Sequence, residues 1–355
     1  MNISNETSLY RMPAEWERHD ATWLCWPTNR NDWAGKFEPI PWVFAEMAKK
    51  LSEGEIVRII VQSAEHEKKV KLILKQQGAD LQRIEFFRFS TNRGWTRDMG
   101  PIFTRRSPEN DIAVLRFRFR AWSKYPDWKK DDQVHLLAAN ALKLPAVPVM
   151  YKGEEVELEG GSIDVNGNGT VLTTEECLLH PDIQVRNPGF TREDYEGMLK
   201  QYLGAEKVVW LGSGIAGDDT HGHVDDICRF VNTSTVVMAE ETNPADVNYK
   251  PTQENKERLQ GIRLAHGEKL GAISLPMPAP LSFNGQRLPA SYANFYIGNN
   301  VVIVPTFNDP NDRKALGILS ELFSSRKVIG IHAVDLVLGQ GTLHCLTQQQ
   351  PSRGI

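Results

Sequence analysis

One pattern constrains the fold more than any other: a unit of strand, turn, strand, helix, strand that recurs along the chain. Residues 162–165 and 170–173 flank the turn Asn166-Gly167-Asn168-Gly169, a helix is expected over 192–202, and 207–210 closes the unit. The same order returns at 227–231, 235–238, 254–270 and 272–275, and again at 294–297, 301–304, 313–323 and 327–330. An earlier, looser copy runs through 101–104, 112–117, 133–142 and 147–150. Units of this length cannot each bury an apolar face alone, so they stack or close radially. Ahead of them lie a strand at 21–27, helices at 39–51 and 64–77, and strands at 55–61 and 84–89. The strand at Trp23 has no hairpin partner before it, and the run entered at Cys345 has none after it. Pairing the two closes a ring. The expected fold is a five-bladed, pseudo-symmetric α/β propeller formed as a single domain over 1–355. The rival reading is an irregular α/β domain whose hairpins coincide by chance.

Composition narrows the partners. The chain has 355 residues, a net charge of −4 and no dominant basic patch, which argues against nucleic acid and anionic membrane. No apolar run reaches the length of a membrane span. Cys25, Cys177, Cys228 and Cys345 are scattered without a C-x-x-C pair, which reads as free thiols in a reducing compartment. The first six residues show no basic or apolar leader region, so a cytoplasmic protein is expected.

Function is written in the phase of the polar residues. They cluster just before the first strand of each unit: Trp95-Thr96-Arg97-Asp98, Glu159-Gly160-Gly161, His221-Gly222-His223-Val224-Asp225-Asp226, Pro289-Ala290-Ser291-Tyr292, and Gly341-Thr342-Leu343-His344-Cys345. In a radial array equivalent positions lie at equivalent radii, so a thiol, an imidazole and several carboxylates are expected to meet at one mouth. Taken singly, each segment has a plainer reading: a solvated turn for Arg97 and Asp98, an exposed bend for Glu159, a buried small hydrophobe for Cys345. His221, His223 and Asp225 also match a zinc-ligand spacing, but no histidine follows the aspartate and no third ligand segment is evident, so the metal-free reading is preferred. Phosphate-loop and dinucleotide patterns are absent. A cysteine and a histidine supply a nucleophile and a proton shuttle. Extra carboxylates suit a planar cation, whose N–H fork they match in pairs, which points to attack on a guanidino carbon.

At these residues the chain resembles the agmatine deiminase branch of the guanidino-group-modifying enzymes, close to the bacterial peptidylarginine-deiminase type. The likeness runs in order from Met12-Pro13-Ala14-Glu15-Trp16 through Trp95 to Asp98, Glu159 to Gly161, Gly222 to Asp225 and Leu288 to Tyr292, ending at His344-Cys345-Leu346-Thr347-Gln348-Gln349. The resemblance implies a five-bladed α/β propeller, Cys345 as nucleophile and His223 as general acid and base. It implies Asp98 and Asp225 as guanidinium holders, with Glu159 lining the same pocket. No metal or cofactor is implied, and the expected partner is a small cationic guanidino substrate, a homodimer being among the assemblies allowed. Agmatine is the leading substrate, with free or peptidyl arginine as the alternative; a zinc hydrolase and a non-catalytic binding propeller are the rival classes. Trp95 is expected to cover the aliphatic stem and Asp219 to meet the distal ammonium. Ser162, Asp164 and His221 depart from the family pattern beside the site. The mouth segments carry Glu159, Asp218, Asp219, Asp225 and Asp226 and only one arginine, Arg97, so a substrate carboxylate is expected to be repelled.

Overall fold

The computed structural model describes residues 9–353; the leader reading of the first six residues therefore lies outside the described residues. Five sheets of three or four strands share one internal order. In each, a middle strand pairs antiparallel on one side and parallel on the other, with a helix making the parallel crossover. Thr170–Thr174 sits between Asp164–Val165 and Lys207–Leu211, joined through the helix Arg192–Leu203. Thr235–Glu240 sits between Cys228–Asn232 and Gly271–Pro276, and Val301–Thr306 between Tyr296–Ile297 and Lys327–His332. Asp111–Arg116 sits between Ile102–Arg106 and Ala146–Pro148. The helices Val134–Leu142 and Pro310–Leu322 lie where their periodicity places them. Thr191 with Asp194, and Asp309 with Asp312, close capping boxes that satisfy the free N–H groups at two helix starts.

The fifth sheet is assembled from both ends of the chain. His19–Cys25 pairs antiparallel with Thr347–Pro351, placing Trp23 opposite Gln348, and parallel with Ile56–Val61; Ile84–Arg88 extends the edge. The expected pairing of the Trp23 strand with the run after Cys345 is thus present. All five residues of Thr347–Pro351 are buried, and the Trp23 indole donates to Gln350 Oε1 at 3.0 Å.

Two expectations change. The helix expected over 254–270 is Tyr249–Leu259. Gly261 and Gly267 take left-handed φ of 70° and 85°, and an Arg263–Lys269 bridge makes a small turn where the helix was expected to continue. The first strands of the units also begin later than their apolar runs suggest. The residues ahead of them form single turns instead: Thr96–Met99, Gly160–Ser162 and Val224–Asp226. Asp98 and Asp225 lie within such turns, Glu159 and His223 immediately before them. Among the described residues no helix is long and apolar enough to cross a membrane, and the four cysteines are free and buried.

A buried ion cluster locks the ends of the chain to the middle. Arg229, fully buried, reaches Glu15 Oε1 at 3.0 Å and Asp164 Oδ1 at 3.2 Å, and donates to the Phe295 carbonyl at 2.8 Å. Removing one member strands the other charges out of water. Arg229→Leu is therefore expected to lower the unfolding free energy by about 3–5 kcal/mol. Chemical denaturation checks this, and a variant within about 1 kcal/mol of wild type would contradict it.

Candidate active site

Cys345 stands two residues ahead of the last strand, and its side chain forms part of the floor of a cavity of about 380 Å³. Asn294 holds it. The Asn294 amide nitrogen donates to Cys345 Sγ at 3.1 Å and to Asp226 Oδ1 at 2.9 Å. Its oxygen accepts from the Thr342 hydroxyl at 2.8 Å and the His344 N–H at 3.0 Å. One side chain thus fixes both the thiol and the backbone that carries it.

The remaining groups meet at a glycine. A Cβ on Gly161 would lie 2.5 Å from His223 Nδ1, 2.9 Å from Asp98 Oδ1 and 3.1 Å from Asp225 Oδ2. Any side chain at 161 would fill the space where the three converge, and a Cβ on Gly160 would strike the Arg97 carbonyl at 2.4 Å. The Glu-Gly-Gly string is therefore a matter of room. Gly161 N–H donates to Asp98 Oδ1 at 3.2 Å, and the Trp122 indole donates to Asp98 Oδ2 at 2.9 Å. Asp225 Oδ2 accepts from the Cys345 thiol at 3.5 Å and faces His344 Nδ1 at 2.7 Å. Behind the His223 ring, Glu159 Oε2 lies 3.5 Å from Nε2, and Arg186 donates to both Glu159 oxygens at 3.2 Å. Glu159 is fully buried there, backing the histidine, and like His223 and Asp225 it is not among the residues lining the cavity.

Burial and neighbours drive these groups apart electrostatically. Burial opposes a charged His223, but Asp98, with Cys177 and Glu159 close by, outweighs it and holds the ring well above the ordinary imidazole range. Burial pushes Asp98 up to about 7, with His223 opposing and Asp225 and Glu159 adding to the shift. Asp225 goes the other way: burial would raise it, but His344, His223 and Arg229 hold it below the usual carboxylate value. Burial and the Asp225 charge keep Asp226 well up, in the neutral form. The Cys345 thiol is raised well above its ordinary value by burial and by Asp225, Asp226 and Asp98, against the donor from Asn294. Without a cation in the cavity, Cys345 is held as the thiol.

Trp95 and Asp219 both line the cavity. Trp95 stacks on Trp33 with centroids 5.4 Å apart and donates to Asp32 Oδ2 at 3.2 Å. Asp219 accepts from the Tyr125 hydroxyl at 2.7 Å and pairs with Lys124. Trp122, which also lines the cavity, sits on an unusual backbone: Ala121, Trp122 and Ser123 take consecutive left-handed φ values of 44°, 58° and 52°. The arginine bookkeeping needs correction. Arg97 turns away from the cavity to Glu15 at 3.0 Å and Gln349 at 2.7 Å, whereas Arg93, outside the segments the sequence singles out, lines it. Arg93 is already held by Asp32 at 2.5 Å and Asp127 at 3.0 Å.

The zinc spacing does not assemble. Among the described residues, ligand atoms converge in Glu159, Cys177 and His223 and in Asp225, Asp226 and Cys345, but His221 joins neither set. His221 instead faces the Glu176 carbonyl at 3.1 Å. The other two departures are structural as well: the Ser162 hydroxyl donates to the Glu159 carbonyl at 2.6 Å, and Asp164 binds Arg229. None of the three lines the cavity. Sequence reading missed Asn294, although it sits in the same pre-strand phase as the other site residues. It gave His344 no role of its own. Arg186, Cys177 and Trp122 lie in loops or a helix start outside that phase, where spacing carries no signal.

The comparisons with known proteins agree with this geometry. A family model described as Porphyromonas-type peptidyl-arginine deiminase matches residues 11–351. The chain is 34% identical to an agmatine deiminase of Pseudomonas aeruginosa, covering 99% of each. An agmatine deiminase structure from Enterococcus faecalis superposes with a TM-score of 0.88 at 32% identity, over 98% of this chain and 97% of that one. One from C. jejuni, solved with substrate bound, gives 0.86 at 30% identity over 99% of both. With the same fold from end to end and a family match spanning every segment that builds the site, the chain belongs to the Porphyromonas-type peptidyl-arginine deiminase family.

Proposed function

We propose that this protein is a hydrolase of linear amidine C–N bonds that converts agmatine to N-carbamoylputrescine and ammonia. The observation that carries the reading is the convergence of His223, Asp98 and Asp225 on Gly161, with the Cys345 thiol 3.5 Å from Asp225. A planar cation at that point has carboxylates to receive its N–H groups and sulfur to attack its carbon. Burial and the neighbouring carboxylates keep the thiol protonated; the positive charge of the substrate offsets the carboxylates, so that the thiol gives its proton up to solvent and becomes the nucleophile.

The steps follow from the charge states. Cys345 sulfur bonds to the guanidinium carbon, giving a tetrahedral adduct. His223, kept cationic by its carboxylate neighbours, gives a proton to one amino nitrogen, and the C–N bond breaks to release ammonia. The neutral ring then takes a proton from water as its oxygen bonds to the same carbon. The C–S bond breaks, the hydroxyl proton of the adduct passes to the departing sulfur, and the thiol is restored as the neutral ureido product leaves. Asp98 and Asp225 orient the guanidinium throughout, Glu159 sets the His223 ring, Trp95 covers the aliphatic stem, and Asp219 adds negative charge toward the far end. No step calls on a cofactor. The same reading treats the chain as one cytoplasmic catalytic domain built as a five-bladed α/β propeller. Five sheets of equal internal order and the pairing of the terminal strands support that architecture.

Ammonia release from agmatine tests the assignment directly. Cys345→Ser is expected to abolish it in a folded protein, because no strong base is positioned to ionise a hydroxyl there. A folded variant with near-normal release would sink the mechanism.

The Asp98 carboxyl is protonated below about pH 7 and then cannot pair with a cation. kcat/KM for agmatine is therefore expected to rise with pH through about 7, a macroscopic limb shared with the coupled His223 and Asp225. A flat profile between about pH 5.5 and 8 would rule out that carboxyl as a guanidinium holder.

Free arginine adds a carboxylate that needs a cation of its own. The guanidinium lining the cavity, Arg93, is already engaged by two aspartates. kcat/KM for agmatine is expected to exceed that for arginine by at least about a hundredfold, about 2.7 kcal/mol. Equal turnover in side-by-side kinetics would overturn the substrate assignment and leave the deiminase chemistry standing.

A further inference from the structure

Gln340 is one of the polar residues in the cavity wall that the reaction leaves unexplained. It lies between Gly339 and Gly341 in a loop pressed against the site: a Cβ on Gly339 would fall 2.7 Å from the Trp33 ring, and one on Gly341 2.9 Å from Trp95 and 3.0 Å from Cys345 Sγ. Gln340 itself adopts φ 76°, a left-handed conformation that suits glycine better than a residue with a side chain, and it lines the same cavity as Cys345, Asp98 and Trp95. Its Oε1 is shielded from solvent, and no described group donates to it. At and around the cavity the same condition holds for Arg93 Nε, His223 Nδ1 and Nε2 and Asp225 Oδ1, and among these Gln340 Oε1 is the uncharged acceptor. A buried acceptor without a donor is costly, and it persists at a binding site because the ligand completes it.

The charge of the remaining cavity says which ligand atom does so. The guanidinium has carboxylates waiting for it. Further along the cavity the carboxylates are engaged: Asp32 by Arg93 and Trp95, and Asp219 by Lys124 and Tyr125. A terminal ammonium brings three N–H donors into this region and needs an oxygen not already held by a cation. We propose that Gln340 Oε1 accepts a hydrogen bond from the terminal ammonium of the substrate, making Gln340 a specificity residue for a guanidine that ends in an amine. The inference deepens the agmatine reading and rests on it.

Gln340→Gly removes the acceptor and keeps a residue at ease in the left-handed conformation, so folding is preserved, which a thermal melt confirms. Kinetics are compared with agmatine and with butylguanidine, which has the same stem and guanidinium but no ammonium. In the variant, kcat/KM for agmatine is expected to fall about tenfold or more, mostly through KM, while that for butylguanidine stays within about twofold. An equal loss on both substrates would make Gln340 a loop-shaping residue, and no loss on either would make it idle; each result overturns the proposal with the deiminase reading intact. A wild-type protein inactive on both guanidines overturns the deiminase reading itself, and this inference with it.

Discussion

Glu15 is the residue on which the arrangement hangs. Its carboxylate receives Arg97 and Arg229 at 3.0 Å each and faces His344 Nε2 at 2.8 Å, while its other contacts include the Ile297 N–H at 2.8 Å. Burial alone would neutralise it; Arg229, His344 and Arg97 together keep it well below the ordinary carboxylate range. A buried charge costs several kcal/mol unless it is fully paired. That requirement gives the cluster one satisfactory geometry, and the geometry sets the site. Through His344 the charge of Glu15 reaches Asp225; through Arg97 it fixes the turn that carries Asp98; through Arg229 it ties in the third unit. A residue far from them in sequence therefore determines where Asp98 and Asp225 stand.

The same economy of charge assigns the roles. Asp98, Asp225 and Asp226 are identical buried side chains close to one another, yet their surroundings raise Asp98 to about 7, lower Asp225 below the usual carboxylate range and raise Asp226 well above it. The carboxylates around His223 outweigh burial and raise it, whereas burial and the same carboxylates both raise the Cys345 thiol. In the proposed reaction, acid and nucleophile are thus in opposite readiness until a cation enters.

Much of this was legible in the residues because repetition fixes phase. Once the strand-turn-strand-helix-strand order is seen, the segments around Asp98, Glu159, His223 and Cys345 fall at equivalent positions, and their meeting follows without knowledge of any side-chain contact. Asn294 obeys the same rule and was overlooked because its neighbours are apolar and read as strand. The helix expected over 254–270 failed where apolar spacing continued past glycines whose left-handed backbone ends it. Arg186, Cys177 and Trp122 could not be read at all. Their partners lie many residues away, and loops that deliver single side chains leave no periodic trace. Arg97 shows the opposite error: neighbouring an active-site aspartate in sequence, it points to the other side of its turn.

The three left-handed residues at Ala121, Trp122 and Ser123 hold the indole that donates to Asp98. Non-glycine residues in that conformation cost on the order of 1–2 kcal/mol each. The wall is therefore loaded, and the burden is carried by the rest of the fold. A chain selected only for thermal robustness would find easy gains by relaxing this turn, through glycine at 121 or 123, and each gain would loosen the donor that orients Asp98. Heat tolerance and catalytic order compete at this turn, so a hardened descendant of this protein would be recognised by a slacker pocket before any change reached the nucleophile.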